Sequence, residues 1–334
     1  MREVLITGGL GFIGSNFIHY ALKNHPTWKI LNVDAEKLGA NRKNLADIPA
    51  SRSYRFIKAN VADPKSVARL VRRAEWIIHF AAETHVDRSI SNPTSFLKSN
   101  VLGTVNLLEA ARRADVKRFV HISTDEVYGS APAGSSYVEG DRLDASSPYA
   151  ASKASADLYV QAYHRTYGLN TVTLRCTNNF GPYQFPEKFI PKTIISGLLG
   201  RKVPIYGDGK QIRDWIFVED FCRAVVRAGE KGEAGAVYNV SANNEISNLT
   251  VANLILEQLR KPSELLEFVA DRPGHDFRYS LNSDRIRREL GWKPSHNFQD
   301  ELRNTVDWYV RNEWWWKPLI TGKVLSAAPW KEKW

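Results

Sequence analysis

Near its start the chain reads Val4-Leu5-Ile6-Thr7-Gly8-Gly9-Leu10-Gly11-Phe12-Ile13-Gly14. The apolar run 4–7 predicts a buried strand, and the glycines that follow predict a tight turn into a helix. Two spacings coexist, Gly8-x-x-Gly11-x-x-Gly14 and Gly9-x-Gly11-x-x-Gly14. Glycines let the backbone approach a pyrophosphate, and the following helix turns its free N–H groups and the positive end of its dipole toward that anion. A glycine pattern standing alone says little. One that follows a strand and opens a helix reads as a dinucleotide cradle. Asp34 closes the next apolar run, 30–34, where a carboxylate can accept from both ribose hydroxyls and repel a 2′-phosphate. NAD is therefore the expected cofactor rather than NADP.

Further apolar runs at 55–59, 76–81, 119–124 and 171–175 alternate with helical patterns near 13–24, 64–73, 94–114 and 148–167. Such alternation predicts a parallel sheet with helices on both faces. After about residue 176 the pattern loosens, and Gly, Pro and aromatic residues interleave, as in Gly181-Pro182-Tyr183-Gln184-Phe185-Pro186. The expected fold class is α/β, a Rossmann-type doubly wound parallel sheet with a smaller C-terminal substrate-binding part. Residues 1–175 would form the NAD-binding domain, with some later segments returning to it, and 176–334 mainly the substrate domain. Trp314, Trp315 and Trp316 are expected to pack against the body, because tryptophan is costly to leave in water.

Composition removes other classes. With 334 residues, 43% hydrophobic and 25% charged, the chain reads as one large or two modest globular domains. No apolar stretch approaches the roughly 18–20 residues that span a membrane, and the first residues lead straight into a strand instead of a leader. Only Cys176 and Cys222 occur, too few for a disulfide framework. A cytoplasmic location and no metal site are expected. The net charge of +10 admits nucleic acid or a phosphorylated ligand. The cations are scattered and no nucleic-acid-binding motif accompanies them, so a small phosphorylated partner is expected, with no nucleic acid and no membrane.

Two stretches carry candidate chemistry. Pro148-Tyr149-Ala150-Ala151-Ser152-Lys153 puts Tyr149 and Lys153 on one helical face, where an ammonium would favour the phenolate and make Tyr149 a base. The run 119–124 ends directly in Asp125 and Glu126. Two carboxylates there are either a solvated turn or an acid and a base, separated because adjacent acids repel and one is pushed up in pKa.

The glycine turn, the Tyr149/Lys153 pair and the chain length resemble the extended short-chain dehydrogenase/reductase family. The stretches 79–89, 123–129, 175–184, 206–215 and 271–276 narrow that resemblance to the dTDP-glucose 4,6-dehydratases, from residue 1 to about 320. Thr124-Asp125-Glu126 is its most specific piece. The resemblance implies a nucleotide sugar, dTDP-glucose, as substrate, and a homodimer paired through the helices at 94–114 and 148–167. It also implies roles. Gly8, Gly11, Phe12, Ile13, Gly14, Asp34, Asn60, Val61, Ala81 and Ala82 would surround NAD, with Asn100 on a helix close to it. Thr124 would bind the sugar 4-hydroxyl, Tyr149 would take its proton, and Lys153 would hold the ribose. Asp125 would be the acid and Glu126 the base of an elimination. Asn179, Lys188, Arg213, Asn248, Arg272 and His275 would hold the diphosphate and its neighbours, Tyr206 would lie against the base, and Thr84, His85 and Pro204 would complete the substrate site.

Two positions depart from the pattern the resemblance implies. Asn60 stands where an Asp is usual, and the loop 34–41 lacks the usual Tyr. Two other readings stay open. A related nucleotide-sugar dehydratase, epimerase or decarboxylase is one, although an epimerase needs no acid–base pair at C5 and C6. A non-catalytic protein that binds NAD and RNA is the other, and the Thr124/Tyr149/Lys153 set argues against it.

Overall fold

The computed structural model describes residues 2–334. Its first half alternates as the periodicity predicts: β1 (Arg2–Thr7), α1 (Phe12–Asn24), β2 (Trp28–Asp34), β3 (Tyr54–Lys58), α2 (Pro64–Val71), β4 (Trp76–His79), α3 (Val86–Ser91), α4 (Pro93–Phe96), α5 (Gly103–Arg113), β5 (Arg118–Thr124), α6 (Pro148–Tyr167) and β6 (Thr171–Cys176). The second half holds β7 (Asn178–Phe180), α7 (Phe189–Leu198), β8 (Val203–Tyr206), β9 (Ile212–Phe217), α8 (Val218–Lys231), β10 (Val237–Val240), β11 (Glu245–Ser247), α9 (Asn248–Gln258), β12 (Leu266–Val269), α10 (Asp284–Leu290), α11 (Phe298–Arg311) and α12 (Glu313–Trp316).

Seven strands form one sheet in the order β10-β6-β5-β4-β1-β2-β3, and every neighbouring pair is parallel. The chain starts in the middle, runs to the β3 edge, then returns past β1 to β4. Binding crevices form where strand order reverses in this way, at the carboxyl ends of the strands. β1, β4 and β5 all end there, at Thr7, His79 and Thr124. Apolar residues fill both faces of the sheet. Ile6, Phe17, Ile78, Phe221 and Val225 lie in one cluster, and Leu5, Ile77, Leu108 and Phe119 in the other, as a sheet covered on both sides requires. Smaller sheets, β11-β9-β7 and β12-β8, lie outside it. A third cluster there includes Trp215, Phe298, Trp315 and Trp316.

The long helix expected at 94–114 is interrupted. Residues Leu97–Leu102 form a π-helical turn between α4 and α5. Asn100 lies within this turn. Its side chain is buried and grips the main chain of Glu83 on both sides, accepting from Glu83 N at 2.8 Å and donating to Glu83 O at 3.0 Å. The strand expected at 76–81 stops at His79, because the chain there turns to line the crevice. The tryptophans divide: Trp315 and Trp316 are fully buried, their indole N–H groups donating to Asn44 Oδ1 and Tyr309 O at 2.8 Å, while Trp314 is exposed. No helix among the described residues is long and apolar enough to cross a membrane.

Candidate active site

The glycine turn sits at the crevice. Gly8 has φ +75, and a Cβ there would come within 2.5 Å of Ala81 N; a Cβ on Gly14 would come within 2.3 Å of Gly8 O. Only hydrogen fits at either position. Gly11 caps α1 without a side chain, so the N–H groups of Phe12 and Ile13 in the first turn are left for an anion. Asp34 is buried, and burial raises its carboxyl above the ordinary value. Its oxygens accept from Leu10 N at 3.1 Å and Glu36 N at 2.8 Å. Each carboxylate oxygen has a second acceptor site, which remains for ribose hydroxyls. These features fit a dinucleotide. Asn60, Val61, Ala81 and Ala82 line the same cleft. The Asn60 amide oxygen is engaged by Ala62 N at 2.9 Å. In the altered loop, Glu36 pairs with Arg42 and with Lys58, and Lys37 reaches across the cleft to Glu83 at 2.8 Å.

The carboxylate pair follows β5. The Thr124 hydroxyl donates to Asp125 Oδ1 at 3.1 Å and accepts from Glu126 N at 3.3 Å. Asp125 Oδ2 is buried with no hydrogen-bond partner. Burial, then the charge of Glu126, push the Asp125 carboxyl well above its ordinary value. Burial also raises Glu126, but Arg272, Lys188 and Arg213 oppose it. Arg213 alone among these cations opposes the rise of Asp125, whereas three oppose that of Glu126, so the two adjacent acids occupy unequal fields and Asp125 is the one raised further.

Tyr149 enters the crevice from the first turn of α6, a helix capped by Ser147, whose Oγ accepts from Ala150 N at 3.1 Å. Phe96 packs edge-on to the phenol ring at 6.3 Å. The expected lowering of Tyr149 by Lys153 is absent in this state. Burial and then the Glu126 charge push the phenol well above its ordinary value, while the Lys153 ammonium donates to Ile122 O at 2.7 Å. Burial lowers Lys153 itself to about 8. The pair shares a helical face as the spacing predicts, but the ammonium is drawn to a carbonyl that no sequence pattern reveals.

Thr84, Asn179 and Lys188 line the cleft together with the catalytic candidates. Lys188 Nζ donates to Thr84 O at 2.6 Å, and Asn179 Oδ1 is a buried acceptor without a partner. The remaining substrate candidates do not line it. Arg213 and Arg272 form an adjoining group in the field of Glu126, and His275 lies in the field of both arginines. Arg213 donates to His275 Nε2 at 2.9 Å and lies 4.2 Å from the centre of the Tyr279 ring. Burial, with the nearby arginine charges, lowers His275 to about 4. Asn248 opens α9, its side-chain oxygen buried and unpartnered. Two positions stand off the cleft. His85 is the cap of α3, accepting from Arg88 N at 3.3 Å, and Pro204 is buried inside β8 opposite Glu267.

The sequence reading missed Asp87, although it lies inside the stretch 79–89. Its carboxylate accepts from Tyr206 Oη at 2.8 Å and from Arg272 at 2.9 Å. It also missed Tyr279, whose hydroxyl lies 3.4 Å from Glu126 Oε2 and 2.9 Å from Asp276 Oδ2. An acid among charged neighbours carries no local signature, and Tyr279 is joined to this site only by the folded chain.

The chain matches a family model described as GDP-mannose 4,6 dehydratase over residues 5–305. It is 45% identical over 331 residues to dTDP-glucose 4,6-dehydratase of Streptomyces niveus, covering 98% of each chain. Among solved structures, DesIV, a dTDP-glucose 4,6-dehydratase from Streptomyces venezuelae solved with NAD and dTDP bound, superposes with a TM-score of 0.94. The identity there is 44%, covering 96% of this chain and 100% of that one. UDP-glucose 4-epimerase of Thermotoga maritima shares the fold at a TM-score of 0.86 and 28% identity, over 93% of this chain and 100% of that one.

Proposed function

The chain belongs to the dTDP-glucose 4,6-dehydratases of the extended short-chain dehydrogenase/reductase family, and from that membership we propose that it converts dTDP-glucose to dTDP-4-dehydro-6-deoxyglucose and water. The observation that carries the reading is the unequal pair, Asp125 pushed well up and Glu126 opposed by three cations.

NAD, when bound in the glycine cradle, supplies the acceptor for the C4 hydride and the donor that returns it to C6. The protein's residues handle the protons. Thr124 Oγ1 orients the 4-hydroxyl, and Tyr149 Oη receives its proton as the phenolate, a form that needs the Lys153 ammonium on the same helical face to offset the burial and the Glu126 charge that raise the phenol. A 4-ketone acidifies C5–H. Glu126 then takes the C5 proton, and Asp125 gives its proton to the 6-hydroxyl, which leaves as water. That division needs one neutral acid and one anionic base, which their surroundings favour. Returning that proton to C5 restores Glu126, and passage to Asp125 of the proton that Tyr149 took from the 4-hydroxyl restores the acid and the phenolate together. An epimerase has no leaving water and no use for the pair.

Residues 176–334 supply most of the sugar-nucleotide contacts in this reading, and the cofactor contacts come from 1–175. We further assign the exposed apolar residues Leu97, Leu102, Leu158 and Tyr159 to a homodimer interface, and place the enzyme in the cytoplasm with other NAD-dependent biosynthetic steps. The test is to incubate purified protein with dTDP-glucose, UDP-glucose and GDP-mannose separately and identify products by mass and by proton NMR of the sugar. Loss of water from dTDP-glucose supports the reading. A C4 epimer of the same mass, or RNA binding that falls steeply with salt and is accompanied by no turnover, overturns it.

A further inference from the structure

We propose that residues 324–334 form the outer wall of the nucleotide-base subsite, with Trp330 positioning Tyr206. The inference rests on the reading of this site as one for a nucleotide sugar, and it assigns a role to a segment that the catalytic scheme leaves idle.

Tyr206 is posed from two sides. Its hydroxyl donates to Asp87 Oδ2 at 2.8 Å, the same carboxylate that holds Arg272 at 2.9 Å. One buried acid on α3 thus sets both an aromatic ring and a guanidinium. The ring itself is abutted by His275 at 6.1 Å and, closer, by Trp330, whose indole stands edge-on at 5.1 Å and 88°. An edge-to-face aromatic pair constrains orientation as well as burying area.

The segment that carries Trp330 is tied to the elements around the cleft. Lys192, buried in α7, donates from Nζ to Ser326 O at 3.2 Å. A buried ammonium needs such partners, so the contact anchors the strap as much as it satisfies the lysine. The Arg88 guanidinium lies 5.6 Å from the centre of the Trp334 ring and also pairs with Glu187 at 2.9 Å. Trp334 Nε1 donates to Pro329 O at 2.8 Å, folding the segment on itself. Arg88 and Asp87 are neighbours on α3, so one short helix holds the strap on one side chain and Tyr206 with Arg272 on the next. Unseating Trp330 frees the Tyr206 ring on one side, while the groups that move protons, Asp125, Glu126 and Tyr149, keep their own contacts.

The experiment compares the parent with Trp330→Ala, Trp330→Phe and Lys192→Met. It records KM and kcat for dTDP-glucose, the Kd of dTDP alone, retained NAD and Tm. Trp330→Ala should raise KM and the dTDP Kd together by roughly 2- to 10-fold, the range that loss of an aromatic pair allows, with kcat and NAD content near the parent's. Trp330→Phe should recover most of the loss, and Lys192→Met should reproduce part of it. Unchanged KM and Kd in a protein that keeps its Tm overturn the inference. So does a fall in KM, which would make the segment a competitor for the site, or a fall in kcat alone. If Trp330→Ala fails to fold, Lys192→Met decides on the same readouts. A parent that binds dTDP but does not turn over dTDP-glucose overturns the functional reading alone, and the dTDP affinities still decide the role of Trp330.

Discussion

The Thr124 hydroxyl donates to Asp125 Oδ1 at 3.1 Å, which leaves Asp125 Oδ2 as the buried, unpartnered oxygen. Burial raises this carboxyl well above its ordinary value, and that oxygen is the one free to carry a proton and to give it away. Glu126, in the next position, is the acid that Arg272, Lys188 and Arg213 draw toward the charged form.

The two acids should therefore separate from Tyr149 in a single turnover. Asp125→Asn and Glu126→Gln should still reduce bound NAD when dTDP-glucose is added, with product release slowed by about 10²–10⁴-fold, as for loss of a general acid or base. Tyr149→Phe should block reduction itself. Nicotinamide absorbance recorded beside product formation checks this, and carboxylate variants unable to reduce NAD would misassign the roles.

Retention of cofactor tests the cradle. Gly14→Ala places a methyl group where Gly8 O stands 2.3 Å away, and Asp34→Ala removes the ribose acceptor. Both should lose most of the NAD that the parent carries through purification. Nucleotide released on denaturation gives the count, and NADP in the parent would contradict the role of Asp34.

Arg272 should act on substrate affinity. Arg272→Ala removes a charge-assisted donor, and hydrogen bonds to charged groups contribute roughly 1.5–3 kcal/mol, about 10- to 150-fold in KM. Asp87→Asn should raise KM too, since it frees both Arg272 and Tyr206. A KM unmoved in both variants would remove this group from the substrate site.

Acid should weaken the fold through its buried histidines. His121 is fully buried 3.3 Å from Asp157, and burial lowers it to about 4 from 6.5. The unfolded chain binds this proton first, so stability is full above about pH 6.5 and declines as pH falls toward 4, by up to about 3 kcal/mol for this site. Asp157, lowered to about 2, adds its loss only below about pH 4. Tm measured against pH should fall through that window, with a shallower slope in His121→Gln. An equal slope would put the effect on His79 and His85, which burial also lowers.

The homodimer is tested on its apolar face. Leu158 on α6 is 58% exposed, so Leu158→Glu should leave Tm near the parent's while light scattering reports the mass of a monomer. Should the parent itself weigh as a monomer, these helices have no such role.

The sheet and the glycine turn were legible in the sequence, because each is written in short-range spacing. Strand and helix periods, the glycines of 8–14 and the pair Tyr149/Lys153 are correlations over a few residues, and the fold keeps them. The recognition of Thr124-Asp125-Glu126 needed family likeness, since two adjacent carboxylates equally describe a turn. Tertiary structure alone decided which acid burial raises further, where the Lys153 ammonium points, and that the helix around Asn100 widens into a π turn. It also decided that Asp87 meets Arg272 across 185 positions of sequence and that Trp330 stands against Tyr206. Burial and the sum of nearby charges set these outcomes, and both are properties of chain segments brought together from far apart, which no local pattern of residues records.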